Sequence, residues 1–301
     1  MEGLPHFPAL MKTTKISLLL ALWTSGGVTA SFAQMEGEYQ IQPIYSRYAE
    51  RVKKVTFNAT GRIFNDVQLQ EADKFDGYTV DADLTIPIPG TERFQIRLYW
   101  PIYTDGQARL IDPTAPDFGK KIDIYGYGGT FDYPSITFEY QFLKESDHDF
   151  NLSGYLGAGA RVYYLKTSTV GKDVYNHMGK QVLFGTKADW RAGDDWRFVA
   201  NLGGSYYIES DDLNPEGTGS SDVFALANIS VSAIYHPWKL PVFPVAELLY
   251  QGNFSGYNAI QAVPEVIWAI NSHFELKAGL PIGLTSDGQS WGGTFQGTVR
   301  F

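Results

Sequence analysis

Polar and apolar side chains alternate one by one through most of this chain, and no other feature restricts its fold so sharply. In residues 94–102, Phe94, Ile96, Leu98, Trp100 and Ile102 share one parity, and Gln95, Arg97 and Tyr99 the other. A strand turns successive side chains to opposite faces, so each such run has one apolar and one polar face. Twelve segments keep this rule: 55–63, 78–87, 94–102, 135–143, 150–164, 181–190, 196–208, 223–235, 242–252, 259–270, 274–285 and 291–301. The fourth keeps its parity as far back as Ile122. Turn chemistry separates the runs and alternates in length. Short connections fall at "PGTER", "KESDHD", "RAGDD", "HPWKLP" and "NSH", and longer ones at 64–77, 103–121, 166–180, 209–222, 253–258 and 285–290. Gly, Pro, Asp and Asn supply the backbone angles that these turns need.

The apolar face could meet the core of a soluble sandwich or the hydrocarbon of a membrane. A sandwich turns its polar face to water and crowds it with Lys and Glu. Here that face carries Thr, Ser, Asn, Gln, Gly and few charges. Aromatic residues sit at both ends of the apolar band: Trp190, Trp196, Tyr235 and Trp268 at one, and Trp100, Tyr164, Tyr206, Tyr250 and Trp291 at the other. Two such belts fit the two interfaces of a bilayer. Strands in lipid leave no open edge, so the last run must pair with the segment near Val55–Phe64. The expected fold is all-β, a closed antiparallel up-and-down transmembrane β-barrel of about 12 strands. Short turns and both termini then lie on the periplasmic side.

The N-terminus reads as an address. From Met11, a short basic stretch, the apolar "ISLLLALW" and small residues at Ser31 and Ala33 describe a secretory signal peptide cleaved after Ala33. Domain boundaries follow: 1–33 signal peptide with a natural start at Met11, 34–52 a periplasmic arm or a plug entering from below, and 53–301 the barrel. The loop at 103–121 is a second candidate constriction. The absence of cysteine excludes disulfides, Cys-ligated zinc and thiol chemistry. A net charge of −9 with no basic stripe argues against a nucleic-acid partner.

Two resemblances add to this reading. Phe295, Gly297, Val299 and Phe301 resemble the C-terminal signature of Gram-negative outer-membrane barrels. That resemblance implies outer-membrane lipid as surroundings and the barrel assembly machinery as a partner that recognises the last strand. The stretch "FELKAGLPIGLTSDGQSWGGTFQGTVRF" resembles the end of the outer-membrane transporter family associated with phenol meta-pathway degradation. It implies passage of small molecules, aromatic compounds among them, and transfers no binding residues.

Parity also assigns a lumen. Arg62, Arg97, Arg161, Lys187, Arg197, Lys277 and Arg300 share the polar face with Asp81, Asp83, Glu139, Asp189, Glu247, Glu265 and Glu275. Equal numbers of each sign suggest paired networks, or opposed stripes that guide a polar solute, rather than a pore selective for one sign. Catalysis is not expected. His148, His236 and His273 fall in short turns, His177 lies in a long loop without a nearby Ser, and "GYGG" at 126–129 reads as a bulge. No cofactor and no metal are expected. The expected function is a narrow channel or transporter for small polar or aromatic solutes. A non-conducting structural or adhesive barrel, or a barrel hydrolase acting on lipid or peptide, are the alternatives.

Overall fold

The computed structural model describes residues 41–67, 72–110, 119–127, 133–160, 166–167, 178–210, 223–236, 241–254 and 257–301. Fifteen strands follow one another: β1 (Thr56–Val67), β2 (Ala72–Pro87), β3 (Phe94–Leu110), β4 (Lys121–Tyr127), β5 (Ser135–Leu143), β6 (Asn151–Ala160), β7 (Lys166–Thr167), β8 (Met178–Ala192), β9 (Trp196–Ser210), β10 (Val223–Tyr235), β11 (Val242–Gly252), β12 (Asn258–Ala269), β13 (Phe274–Gly279), β14 (Ile282–Gly283) and β15 (Trp291–Arg300). A single helical turn, α1 (Glu145–His148), sits between β5 and β6. All pairings are antiparallel between neighbours, and three pairs of strands (β4 with β5, β6 with β7, β13 with β14) are interrupted staves. The result is the expected closed barrel of twelve staves.

The break between β13 and β14 has a local cause. Gly279 pairs with Glu265 and Ile282 with Ala262, so the register does not slip across the gap. Between them stand Pro281 and, on the facing strand, Pro264, neither of which has an N–H to give the ladder. The Leu280 N–H still donates to the Pro264 carbonyl at 3.0 Å.

Closure depends on the first and last strands. β1 and β15 pair without a shift from Thr56 with Arg300 to Asn65 with Trp291, and the Phe301 N–H donates to the Val55 carbonyl at 3.0 Å. Sealing this seam leaves no row of unpaired backbone groups, each of which would cost several kcal/mol in hydrocarbon.

Polarity is inverted relative to a soluble protein. Buried polar residues outnumber buried apolar ones, while large apolar side chains such as Phe138, Leu156 and Phe295 stand more than half exposed on the outer wall. In β15 the outward row is Trp291, Gly293, Phe295, Gly297, Val299 and Phe301, and Thr294, Gln296, Thr298 and Arg300 are buried inside. Water would not tolerate so wide an exposed apolar surface; a bilayer requires it. Trp190, Trp196, Tyr235 and Trp268 stand outward at the turn end, where the Trp196 and Tyr235 rings approach to 5.1 Å. Trp100, Tyr206 and Trp291 stand outward farther along the wall, and Tyr164 lies outside the described residues.

Two connections are shorter than the sequence suggests. The segments at 64–77 and 103–121 read as loops, yet β1 runs to Val67, β2 begins at Ala72 and β3 continues to Leu110. Two irregularities hide these extensions. One, between Phe64 and Val67, holds Asp66 in the left-handed region (φ 60°), with its N–H donating to Asp76 Oδ1 at 2.9 Å. The other, in the β2–β3 pairing near Val80 and Asp81, switches the inward parity of β3 from Arg97 and Tyr99 to Thr104 and Ala108. Asp105, Gln107 and Arg109 then point outward, so the apolar alternation is lost where the hairpin rises beyond the apolar belt.

Leu248 faces outward at mid-strand, and its neighbour Leu249 borders the interior cavity. Leu248→Arg is expected to lower the folding free energy in lipid vesicles by about 2–4 kcal/mol, as a charge near mid-bilayer does. Leu249→Arg should cost less. Denaturant titrations followed by tryptophan fluorescence compare the two, and equal penalties would contradict the assigned faces.

Candidate functional site

An extended segment with no sheet partner needs other acceptors for its backbone. Residues 41–52 run inside the barrel, and its wall supplies them. The N–H groups of Ile44, Tyr45 and Ser46 donate to the carboxylates of Glu265 (3.1 Å), Glu247 (3.3 Å) and Glu247 (3.1 Å). Arg47 exchanges two hydrogen bonds with the Asn201 amide, its N–H donating to Oδ1 and its carbonyl accepting from Nδ2, both at 2.7 Å. Ala49 and Glu50 N–H share Asp189 Oδ1 at 2.6 and 3.1 Å. The N–H of Arg51 donates to Gln141 Oε1 at 3.2 Å, and that of Val52 to Gln95 Oε1 at 2.8 Å. The acceptors come from β12, β11, β9, β8, β5 and β3, so the segment crosses the bore from one wall to the other.

Apolar packing seals one side of this crossing. Ile41 and Tyr48 join Val199, Ile234, Phe243, Val245, Ile267 and Ala269 in one buried cluster. These wall residues carry the inward parity of β9 to β12, which is otherwise polar. At this end those strands are apolar on both faces, because hydrocarbon lies outside and the segment lies inside.

The charged residues assigned to the lumen by parity meet as pairs. Arg62 is held by Asp81. Asp83 takes Arg47 at 2.7 Å and Asn58 Nδ2 at 3.0 Å, with Arg97 at 3.6 Å. Glu139 takes Lys187 Nζ at 2.6 Å and Gln95 Nε2 at 2.5 Å. Asp189 binds Arg197, whose guanidinium lies 4.4 Å from the centre of the Tyr48 ring. Glu275 takes Arg300 at 2.6 Å and Lys277 at 3.6 Å. Arg161 lies outside the described residues. Glu247 and Glu265 act mainly on the segment's backbone rather than on a cation, a role that parity alone does not reveal.

Beyond the segment lies a cavity of about 480 Å³, reaching from Tyr45 and Arg47 to Tyr257, Gly288 and Gln289 near the loop end. Tyrosines form much of its wall: Tyr45, Tyr99, Tyr133, Tyr155, Tyr207 and Tyr257. Tyr155 lies across neighbouring strands, with its hydroxyl 2.0 Å from where a side chain at Gly203 would begin and 2.6 Å from the same point at Gly185. Only glycine admits that ring there, a close approach that both shapes the cavity and seats Lys187 Nζ 5.3 Å from the ring centre. Tyr155, Tyr133 and Tyr207 were legible in the sequence as aromatics on the polar parity or facing glycine, and parity counting passed over them.

The histidines offer no catalytic set among the described residues. His148 lies in α1 and His273 in the β12–β13 turn, where its Nδ1 lies 2.9 Å from Ser272 Oγ while Asn271 Oδ1 accepts the His273 N–H. His236, after β10, packs its ring edge-on at 5.1 Å from Phe243. Burial, assisted by the charges of Arg197 and Arg191, lowers its pKa to about 4, so it is neutral at working pH. His177 and residues 128–129 of the "GYGG" stretch lie outside the described residues. No group of three His, Cys, Asp or Glu side chains among the described residues is placed to hold a metal ion.

No protein-family model and no curated protein matches this chain. Solved structures do. The transport unit of the autotransporter AIDA-I from Escherichia coli superposes with a TM-score of 0.52 at 10% identity, covering 87% of this chain and 93% of that one. The translocator domain of the autotransporter NalP from Neisseria meningitidis gives 0.50 at 10% identity, covering 83% and 89%. A KdgM porin in complex with disordered oligogalacturonate gives 0.43 at 9% identity, covering 82% and 99%. At such identities the likeness concerns the fold alone. Closed, apolar outside and polar within, the chain is a transmembrane β-barrel.

The chain's lack of cysteine permits a direct test of the segment's placement. A lone thiol in Ala49→Cys should react with a water-soluble maleimide at least tenfold more slowly than one in Ser146→Cys, on the exposed α1 turn. Adding Asp189→Ala, which removes the acceptor of the Ala49 N–H, should accelerate labelling at position 49. Equal rates in the otherwise unaltered barrel would contradict an enclosed segment.

Proposed function

We propose that this chain is an outer-membrane channel for small solutes, closed at rest by residues 41–52. The observation that carries the reading is the segment itself, held across the bore by side chains and covering a polar, tyrosine-lined cavity. A barrel of twelve strands is wider than the eight-stranded kind that side chains fill and narrower than the sixteen-stranded porins. A short segment is therefore enough to close it. The grip consists of side-chain hydrogen bonds, an ion pair and apolar packing rather than a sheet ladder, so the segment can leave without unravelling a strand. Residues 1–33 act as a cleaved signal peptide with its start at Met11, and the outward row ending at Phe301 serves as the mark for the assembly machinery. The solutes are small polar or aromatic molecules, a size set by the cavity.

Single-channel recording in planar bilayers tests this. The intact barrel should conduct weakly or in brief openings. Removing residues 34–52, or loosening the grip with Asp189→Asn and Glu247→Gln together, should raise the conductance several-fold. Silence in all three would leave a structural or adhesive barrel as the better account. The assembly mark is tested by Phe301→Asp, which should leave a secreted, unfolded species. Normal yield of a heat-modifiable barrel would contradict it.

A further inference from the structure

We infer that the cavity holds an anion-binding site at Arg97, fitted to the carboxylate of a small organic monoanion. The inference deepens the solute-channel reading, and it rests on that reading only for the route by which the ligand arrives.

The argument is one of charge and geometry. Four cationic side chains reach the cavity: Arg47, Arg62, Arg97 and Lys187. Three of them have a carboxylate of their own, since Arg62 is held by Asp81, Arg47 by Asp83 at 2.7 Å and Lys187 by Glu139 at 2.6 Å. Arg97 does not. Its one carboxylate contact among the described residues is Asp83 Oδ2 at 3.6 Å, beyond hydrogen-bonding reach, and Arg47 already occupies that oxygen. The other Asp83 oxygen accepts from Asn58, and both Glu139 oxygens are taken by Lys187 and Gln95. Three carboxylates thus serve four cations, and Arg97 has the weakest hold on its share. Its planar fork can bind a carboxylate through two parallel hydrogen bonds.

The surroundings favour an anion with a body over a bare ion. The Arg97 guanidinium lies 5.9 Å from the centre of the Tyr99 ring, while the Tyr45 and Tyr155 rings are in turn faced by Arg62 at 5.7 Å and Lys187 at 5.3 Å. Tyrosine gives a ligand flat apolar surface and a hydroxyl at its rim. The available volume, about 480 Å³, suits one small molecule rather than a polymer. The arrangement also stays neutral with a singly charged ligand in place, whereas a dianion would leave an uncompensated buried charge.

Isothermal titration of the purified barrel in detergent tests the site without requiring conduction. Benzoate is the probe, benzamide its neutral counterpart and chloride the bare ion. Benzoate should bind saturably and at least tenfold more tightly than either. Arg97→Gln should weaken benzoate at least tenfold and leave benzamide unchanged, and Arg97→Lys should restore part of the loss. A second variant works from the opposite side. Thr137 is buried and pairs directly with Arg97 across the β3–β5 ladder. Thr137→Asp therefore gives Arg97 an internal carboxylate and should abolish benzoate binding with the arginine still present. Undiminished benzoate binding in both variants, or chloride binding as tight as benzoate, would overturn the site. Binding that follows these expectations in a barrel that never conducts would overturn the channel reading and leave the site standing.

Discussion

The structure depends on how an irregular stretch of backbone is satisfied inside a closed sheet. A peptide crossing the bore has no ladder to join, and residues 41–52 are all buried or half-buried. Eight N–H groups between Ile44 and Val52 are accepted by wall side chains: Glu265, Glu247, Asn201, Asp189, Gln141 and Gln95. Each orphaned donor would cost about 1–3 kcal/mol, so the acceptors are a condition for the segment's position rather than an ornament of it. Much else follows. Glu247, Glu265 and Asp189 sit where the segment passes, cations pair with Asp189 and with the carboxylates that the backbone does not use, and the remaining space becomes the cavity.

The barrel wall is arranged around the same division. Hydrocarbon outside demands a sealed sheet and an apolar outer row, which the β1–β15 seam and residues such as Phe138, Leu156 and Phe295 provide. The interior is polar where the cavity lies and apolar where Ile41 and Tyr48 dock on Phe243, Val245 and Ile267. One crossing segment thus lies between an apolar cluster and a polar cavity. On the proposed channel reading this segment is the part that opens, because hydrogen bonds to side chains can be exchanged for hydrogen bonds to water without tearing the sheet.

The fold was legible because a period of two is hard to imitate. Val299 and Phe301 facing out beside a buried Arg300 is a pattern that a single sequence displays directly. Parity lost its force where the outer surroundings changed. Beyond the apolar belt, Asp105, Gln107 and Arg109 point outward from a strand, and the stretch reads as loop. The irregularity beside Asp81 compounds this by exchanging faces in mid-strand. Parity likewise placed Glu247 and Glu265 on the polar face but gave no hint that a distant segment's backbone was their partner. Contacts more than two hundred residues apart in sequence carry no local signal. The double-sided apolar ends of β9 to β12, as in β11 with Phe243 and Val245 opposite Val242 and Leu248, were the available clue that something covers the inside.

Hydrogen exchange across residues 44–52 tests the central claim most directly. With the barrel in lipid nanodiscs at neutral pH, mass spectrometry of a peptide spanning this segment reports its amides together. If wall side chains hold those N–H groups, exchange should be slower than for an unstructured peptide by several orders of magnitude and comparable with peptides from β9 and β11. Complete exchange within seconds, alongside protected strands, would show that the segment is not held in the bore and would contradict the account.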